Sequence, residues 1–161
     1  MTKSRASRVL MVCTGNICRS PSAEGVLRHL AIAEGLADRI EIDSAGTADW
    51  HAGEPPSQRA QVAAKARGYD ISGLRARPLR REDYFDFDWM LAMDEGHIAH
   101  LVRNRPEDAT AEIVLFLDPA PQVGRGDVPD PYYGGEDDYE YSLDLIEAGC
   151  RGWLERLKGG K

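Results

Sequence analysis

"VCTGNICRSPSAEG", Val12 to Gly25, overlaps the end of the apolar run "VLMVC" (Val9 to Cys13) near the start of the chain. A short apolar run that breaks into Gly, Asn and Ser and then gives way to helix-forming residues predicts a buried strand, a tight turn and a helix. Five residues separate Cys13 from Arg19 inside that turn. A turn so placed aims successive backbone N–H groups and the positive end of the helix at one small volume. That volume suits a tetrahedral oxyanion such as phosphate.

The residue types fit this reading. Arg19 can hold two oxygens of the anion with its planar guanidinium, a geometry lysine does not reproduce. Cys13 opens the loop and faces the phosphorus, and the surrounding donors and helix dipole favour its thiolate, which makes it a nucleophile at neutral pH. The Ser20 hydroxyl can hydrogen-bond that thiolate. Gly15 and Asn16 are expected to fold the loop back through left-handed backbone, and Pro21 and Ser22 to form the first turn of the helix. Thr14, Ile17 and Cys18 complete the loop whose amides line the anion site. A Cys followed by an Arg at this spacing is a weak sign by itself. Its placement between strand and helix gives it weight.

Working outward, strand-length apolar runs alternate with segments of helical period. Strands are expected at Arg8 to Cys13, Ile40 to Ser44, Trp89 to Met93 and Glu112 to Phe116, the third and fourth buried. Helices are expected at about Ser22 to Glu34, Ser57 to Arg67, Glu95 to Arg103 and Asp138 to Leu157. The last should bury Leu143, Ile146, Cys150, Trp153, Leu154 and Leu157. The pattern predicts an α/β fold: a single three-layer domain over residues 1–161, with a four-stranded parallel sheet, helices on both faces and the phosphate-binding loop after the first strand. In such sheets ligands bind at the carboxyl ends of the strands. Asp118 to Gly135, with four prolines and four glycines, reads as one long loop, and loops of that length are commonly functional.

Composition narrows the classes. At 161 residues, 42% hydrophobic and 29% charged, the chain is an ordinary globular domain that buries roughly 70% of its unfolded surface. Its apolar runs fall far short of the ~20 residues of a bilayer span, and no secretory signal is evident, so a cytoplasmic protein without membrane insertion is expected. Three cysteines form no disulfide framework and suit a reducing compartment. A net charge of −7 argues against nucleic acid as a partner. The acidic stretch Asp127 to Glu147 and the basic "RARPLRR" (Arg75 to Arg81) read as solvated surface. His51 and His97 show no metal-ligand spacing, so neither metal nor cofactor is expected.

The chain resembles the low-molecular-weight protein tyrosine phosphatases. The likeness lies in "VCTGNICRSPSAEG", "DSAGTADWHAGEPP" (Asp43 to Pro56), "FDWMLAMDEGH" (Phe87 to His97) and "DPYYGGEDDYE" (Asp130 to Glu140), in that order. It implies hydrolysis of phosphotyrosine in protein substrates through a phosphocysteine on Cys13, with Arg19 binding phosphate and Asp130 as general acid and then base. From the residues alone, Asp118 and Asp127 are equally open as the acid. The resemblance also implies an aromatic rim from Trp50, Tyr132 and Tyr133. Phosphoarginine-directed relatives carry Thr where Ile17 stands, so Ile17 implies an aryl phosphate. Some members carry His where Leu74 stands to brace the loop asparagine, which leaves Ser44 as a candidate partner of Asn16. Cys18 shares the turn with Cys13, close enough for a reversible disulfide that protects an oxidised Cys13, and such a disulfide is known in the family. Cys150 reads as packing. A monomer or weak dimer is expected. The alternatives are an arginine phosphatase, a thiol-dependent arsenate reductase, or a redox or phosphate-binding module without turnover.

Overall fold

The computed structural model describes residues 6–123 and 126–159, so Gly124 and Arg125 of the long loop and both chain ends lie outside the described residues. Four parallel strands, β1 (Ser7–Cys13), β2 (Ile40–Gly46), β3 (Trp89–Ala92) and β4 (Glu112–Leu115), form one sheet in the order β2-β1-β3-β4. The apolar run at β1 is continuous rather than alternating because both faces of this central strand are covered. Val9 and Met11 face one side with Leu91 and Met93, while Leu10 and Val12 face the other with Met90 and Ala92, and all eight are fully buried.

The helices divide accordingly. α1 (Arg19–Ala33), α2 (Gln58–Ala66) and α5 (Glu136–Lys158) contribute to the first core, whereas α3 (Asp83–Asp86) and α4 (Glu95–Arg103) contribute to the second. All six apolar residues expected on the face of α5 are buried. Trp153 anchors that face: its ring meets Trp89 edge-on at 5.2 Å and its Nε1–H donates to the Phe116 carbonyl at 2.6 Å. Burying an aromatic side chain of this size contributes about 3 kcal/mol. Gly149 lets α5 sit this close, since a Cβ there would enter the Phe116 ring.

The strand order places the site. After β1 the chain turns outward to β2, then returns across β1 to build β3 and β4, so the winding reverses between β1 and β3. At such a point the carboxyl ends of the two strands open into a crevice where ligands bind. Cys13 ends β1, and Asp94 caps α4 just after β3.

Several expectations need correction. α1 starts at Arg19, three residues early, with Ser22 N–H already bonded to the Cys18 carbonyl at 3.2 Å. Pro21 then stands third in the helix, where an absent N–H costs nothing because the first four N–H groups have no intrahelical partner. β4 is a half-buried edge strand rather than a buried one, and the buried Phe116 lies just past it. The short α3 was not expected, and the long loop contains a 3-10 turn at Pro121–Val123. The charged stretches are not simply solvated: Arg77 pairs with Asp43 and the fully buried Asp83, and Arg67 is clamped by Glu140, Asp144 and Glu147.

Candidate active site

The loop after β1 is held by a chain of directed hydrogen bonds. The backbone N–H of Arg77 donates to Asn16 Oδ1 at 2.9 Å. A backbone amide can only donate, so the Asn16 side chain has one orientation. Its Nδ2 then donates to Ser20 Oγ at 2.7 Å and to Ser44 Oγ at 3.0 Å. The Ser44 hydroxyl donates in turn to Glu24 Oε1 at 2.6 Å, and Arg28 donates to the other carboxylate oxygen at 2.7 Å. Burial pushes the Glu24 carboxyl upward, partly opposed by the Ser44 and Arg28 bonds. Ser20, accepting from Asn16, keeps its hydroxyl proton for Cys13 Sγ, 2.9 Å away, while its backbone N–H reaches the same sulfur at 3.4 Å.

Asn16 has a left-handed backbone (φ 59°), as expected, but Gly15 does not. Gly15 serves space instead, because a Cβ there would lie 3.0 Å from the His51 ring. Leu74 offers no brace, and Ser44 and the Arg77 amide fill that part.

Arg19, only 3% exposed, is aimed by two acceptors. Its Nη1 donates to Asp94 Oδ2 at 2.9 Å and to the Val128 carbonyl at 3.0 Å, leaving Nη2 3.6 Å from Asp130 Oδ2. Asp94 also caps α4 by accepting the His97 N–H at 3.0 Å, and His97 Nε2 lies 2.9 Å from Thr14 Oγ1. Burial lowers the imidazole of His97 to about 4, with Arg19 adding to the effect and Asp94 opposing it.

These groups surround an opening of about 110 Å³ lined by Cys13, Thr14, Gly15, Ile17, Cys18, Arg19 and Asp130 below, and by Trp50, His51, Tyr132 and Tyr133 at the rim. Trp50 and Tyr133 are 72% and 94% exposed. The three sequence-predicted aromatics therefore do reach one rim, from two loops. Asn16 and Ser20 sit behind the loop as braces. Asp118 pairs with Arg156 and Asp127 accepts the Glu95 N–H, so of the three acid candidates only Asp130 lines the opening. A larger groove of about 340 Å³ between α2 and α5 contains none of the loop residues.

Cys18 Sγ contacts Ser57 Oγ at 3.3 Å and Tyr139 OH at 3.9 Å, and burial pushes its thiol upward. All three cysteines are free, and Cys150 is wholly buried with its Sγ toward the Ala23 carbonyl. Sequence reasoning missed Asp94, His97, His51, Glu24, the Arg77 amide and the Val128 carbonyl. The Asp94 N-cap was the one available signal, an Asp followed by the helical segment from Glu95. Among the described residues no group of three or more His, Cys, Asp or Glu side chains stands so as to hold a metal ion, and no helix is long and apolar enough to cross a membrane.

A doubly wound α/β domain with a Cys-x5-Arg anion loop at its switch point defines a class of phosphate-handling proteins. The profile of the family described as low molecular weight phosphotyrosine protein phosphatase matches residues 8–161. The chain belongs to that family of phosphatases, hydrolases of phosphate monoesters. It is 42% identical over 154 residues to a low molecular weight protein-tyrosine-phosphatase of Streptomyces coelicolor, covering 94% of this chain and 93% of that one. The crystal structure of YfkJ from Bacillus subtilis superposes with a TM-score of 0.92 at 38% identity, covering 99% of both chains. A Drosophila arginine phosphatase superposes with a TM-score of 0.82 at 31% identity, covering 92% of this chain and 96% of that one.

Proposed function

We propose that the protein hydrolyses phosphotyrosine in protein substrates, and small aryl phosphates, through a phosphocysteine on Cys13. The observation that carries this reading is the single opening shared by Cys13, Arg19 and Asp130 beneath an exposed aromatic rim. Binding needs neither a nucleophile nor an acid, and their joint presence favours turnover over a module that only captures anions.

The loop amides and Arg19 hold the phosphoryl oxygens, and the directed Ser20 hydroxyl stabilises the Cys13 thiolate as attacking and later as leaving group. Asp130 gives its proton to the departing phenolate, then takes one from the water that cleaves the phosphocysteine. Rim aromatics stack on the phenyl ring and give the slot a depth that phosphotyrosine reaches and phosphoserine does not. The reaction draws on no metal or cofactor.

If peroxide oxidises Cys13 to the sulfenic acid, Cys18 attacks it, water leaves and a disulfide protects the site. Mass spectrometry after mild peroxide treatment tests this. A Cys13–Cys18 crosslink supports it, and a hyperoxidised Cys13 without a crosslink removes it.

The likeness to an arginine phosphatase keeps phosphoarginine as the second substrate to test. Ile17 in the opening favours the aryl ester over it. An arsenate reductase relay would need a further accessible thiol, and Cys150 is buried. Initial rates on phosphotyrosine and phosphoarginine, with chelator and reductant present and Cys13→Ser as blank, decide the matter. Rapid phosphotyrosine turnover lost in the variant is the expected result. Faster phosphoarginine turnover would reassign the substrate, and no turnover would leave an anion-binding or redox device.

A further inference from the structure

Thr14 and His97 meet across the crevice between β1 and β3. One ring nitrogen of His97, Nε2, lies 2.9 Å from Thr14 Oγ1, and the other, Nδ1, lies 3.1 Å from Asp94 Oδ1. The second oxygen of Asp94 receives Arg19. One run of contacts therefore joins the arginine of the anion site to a loop residue that lines the same opening.

The run has a gap. The Nδ1 contact is short but not aligned as a hydrogen bond, so Nδ1 is a buried polar atom without a partner. Asp94 Oδ1 is already occupied by the backbone N–H of His97 at 3.0 Å. A neutral imidazole carries a single N–H. Placed on Nε2, that hydrogen goes to Thr14 Oγ1 and frees the threonine hydroxyl to donate into the opening. Bare Nδ1 is then left against a carboxylate oxygen. One more proton makes both ring nitrogens donors and sets a positive ring 3.1 Å from the Asp94 carboxylate, an ion pair in place of the bare nitrogen.

Asp94 and His100 face the ring from α4, Arg19 from α1 and Asp130 from the loop before α5. The two carboxylates favour imidazolium, and Arg19, His100 and burial oppose it. An anion bound by Arg19 offsets the opposition of that guanidinium.

We propose that His97 is a positioning residue that takes a proton from solvent when a phosphoryl dianion fills the loop and returns it when inorganic phosphate leaves. With both nitrogens protonated, Nε2–H is fixed toward Thr14 and the threonine hydroxyl stays a donor onto the loaded site, whereas in the empty site the single imidazole N–H exchanges between the two nitrogens. This rests on the loop being the phosphate site, and the experiment separates the two claims.

The His97 ring resonances are followed by NMR between about pH 3.5 and pH 8, with and without sulfate, which stays dianionic throughout. In the empty protein the ring is expected to titrate near 4 and to be neutral above about pH 5. Under saturating sulfate its midpoint is expected to rise by about one pH unit or more. An unmoved midpoint while the loop amides respond to sulfate overturns the proposal. Loop amides that ignore sulfate overturn the anion site and the proposal with it. Replacement by a non-titrating donor, His97→Asn, supplies the second measurement. Wild-type inhibition by sulfate is expected to strengthen several-fold more on acidification than inhibition of the variant. A merely structural role would weaken inhibition equally at every pH and leave that slope intact, which also overturns the proposal.

Discussion

The two stretches that face each other across the opening are built on opposite plans. From Asn16 to Ser20 the loop after β1 is buried, and Asn16, Ser20 and Arg19 are each tied to partners on other elements. From Asp130 to Tyr133 the opposing loop is mostly exposed. It hangs from the buried Val128, whose N–H bonds Met93 and whose carbonyl takes Arg19. The difference matches the two tasks of the proposed reaction. Charge on a transferring phosphoryl group is best met by donors fixed beforehand, whereas an acid and an aromatic rim must admit and release a side chain belonging to another protein.

The largest effect should come from the open side. Asp130→Asn is expected to lower kcat on phosphotyrosine by about 10²- to 10⁴-fold, with less loss on an aryl phosphate whose leaving group needs no proton. Its unfolding midpoint should match the wild type, because the carboxylate is half exposed and its ion pair is long. A large loss of stability would mean that this loop shares the structural work of the cradle.

Asn16→Ala tests the closed side. It leaves the Arg77 amide and two serines short of a partner, and each buried group so deprived costs about 1–3 kcal/mol. Denaturant unfolding should record that loss together with a fall in kcat. Activity lost without stability would show that the brace acts on the sulfur alone.

Acid should weaken the cradle through His97. An imidazole lowered in the folded state to about 4 binds a proton later than the unfolded chain does, near pH 6.5. Stability is therefore complete above about pH 6.5 and declines as pH falls toward 4, by about 3 kcal/mol for this group alone. Unfolding of His97→Asn across that window should show a shallower decline. An identical decline would place the acid sensitivity elsewhere.

The smallest effect belongs to the rim. Trp50→Ala should raise KM for a phosphotyrosine peptide several-fold while stability stays within about 0.5 kcal/mol, since the ring is 72% exposed. Unaltered KM would remove Trp50 from the rim's contribution to binding.

What could be read from the chain beforehand follows the same divide. The strand, loop and helix from Ser7 to Ala33 are local, and their consecutive residues announce both the fold and the proposed nucleophile. The exposed rim and Asp130 came through resemblance, because nothing in the spacing of Asp118, Asp127 and Asp130 ranks them. The braces were illegible for a different reason. Arg77 and Val128 act through backbone groups that every residue carries, and they stand 61 and 109 positions from their partners. Only the fold selects them. Arg77 lay hidden in a basic run that reads as surface until the buried Asp83 draws it inward.

The Arg77 amide has a consequence for how this protein varies. The bond that orients Asn16, and through it the Ser20 proton, belongs to the main chain, so no ordinary exchange of side chain at that position deletes it. Among the coded residues only proline lacks the donor. A mutational scan of residue 77 would record the ion pairs to Asp43 and Asp83 and pass over the bond that aims the sulfur's partner. Exchange of the side chain there would strip the buried Asp83 of the Arg77 guanidinium and still leave the amide bond to Asn16 in place.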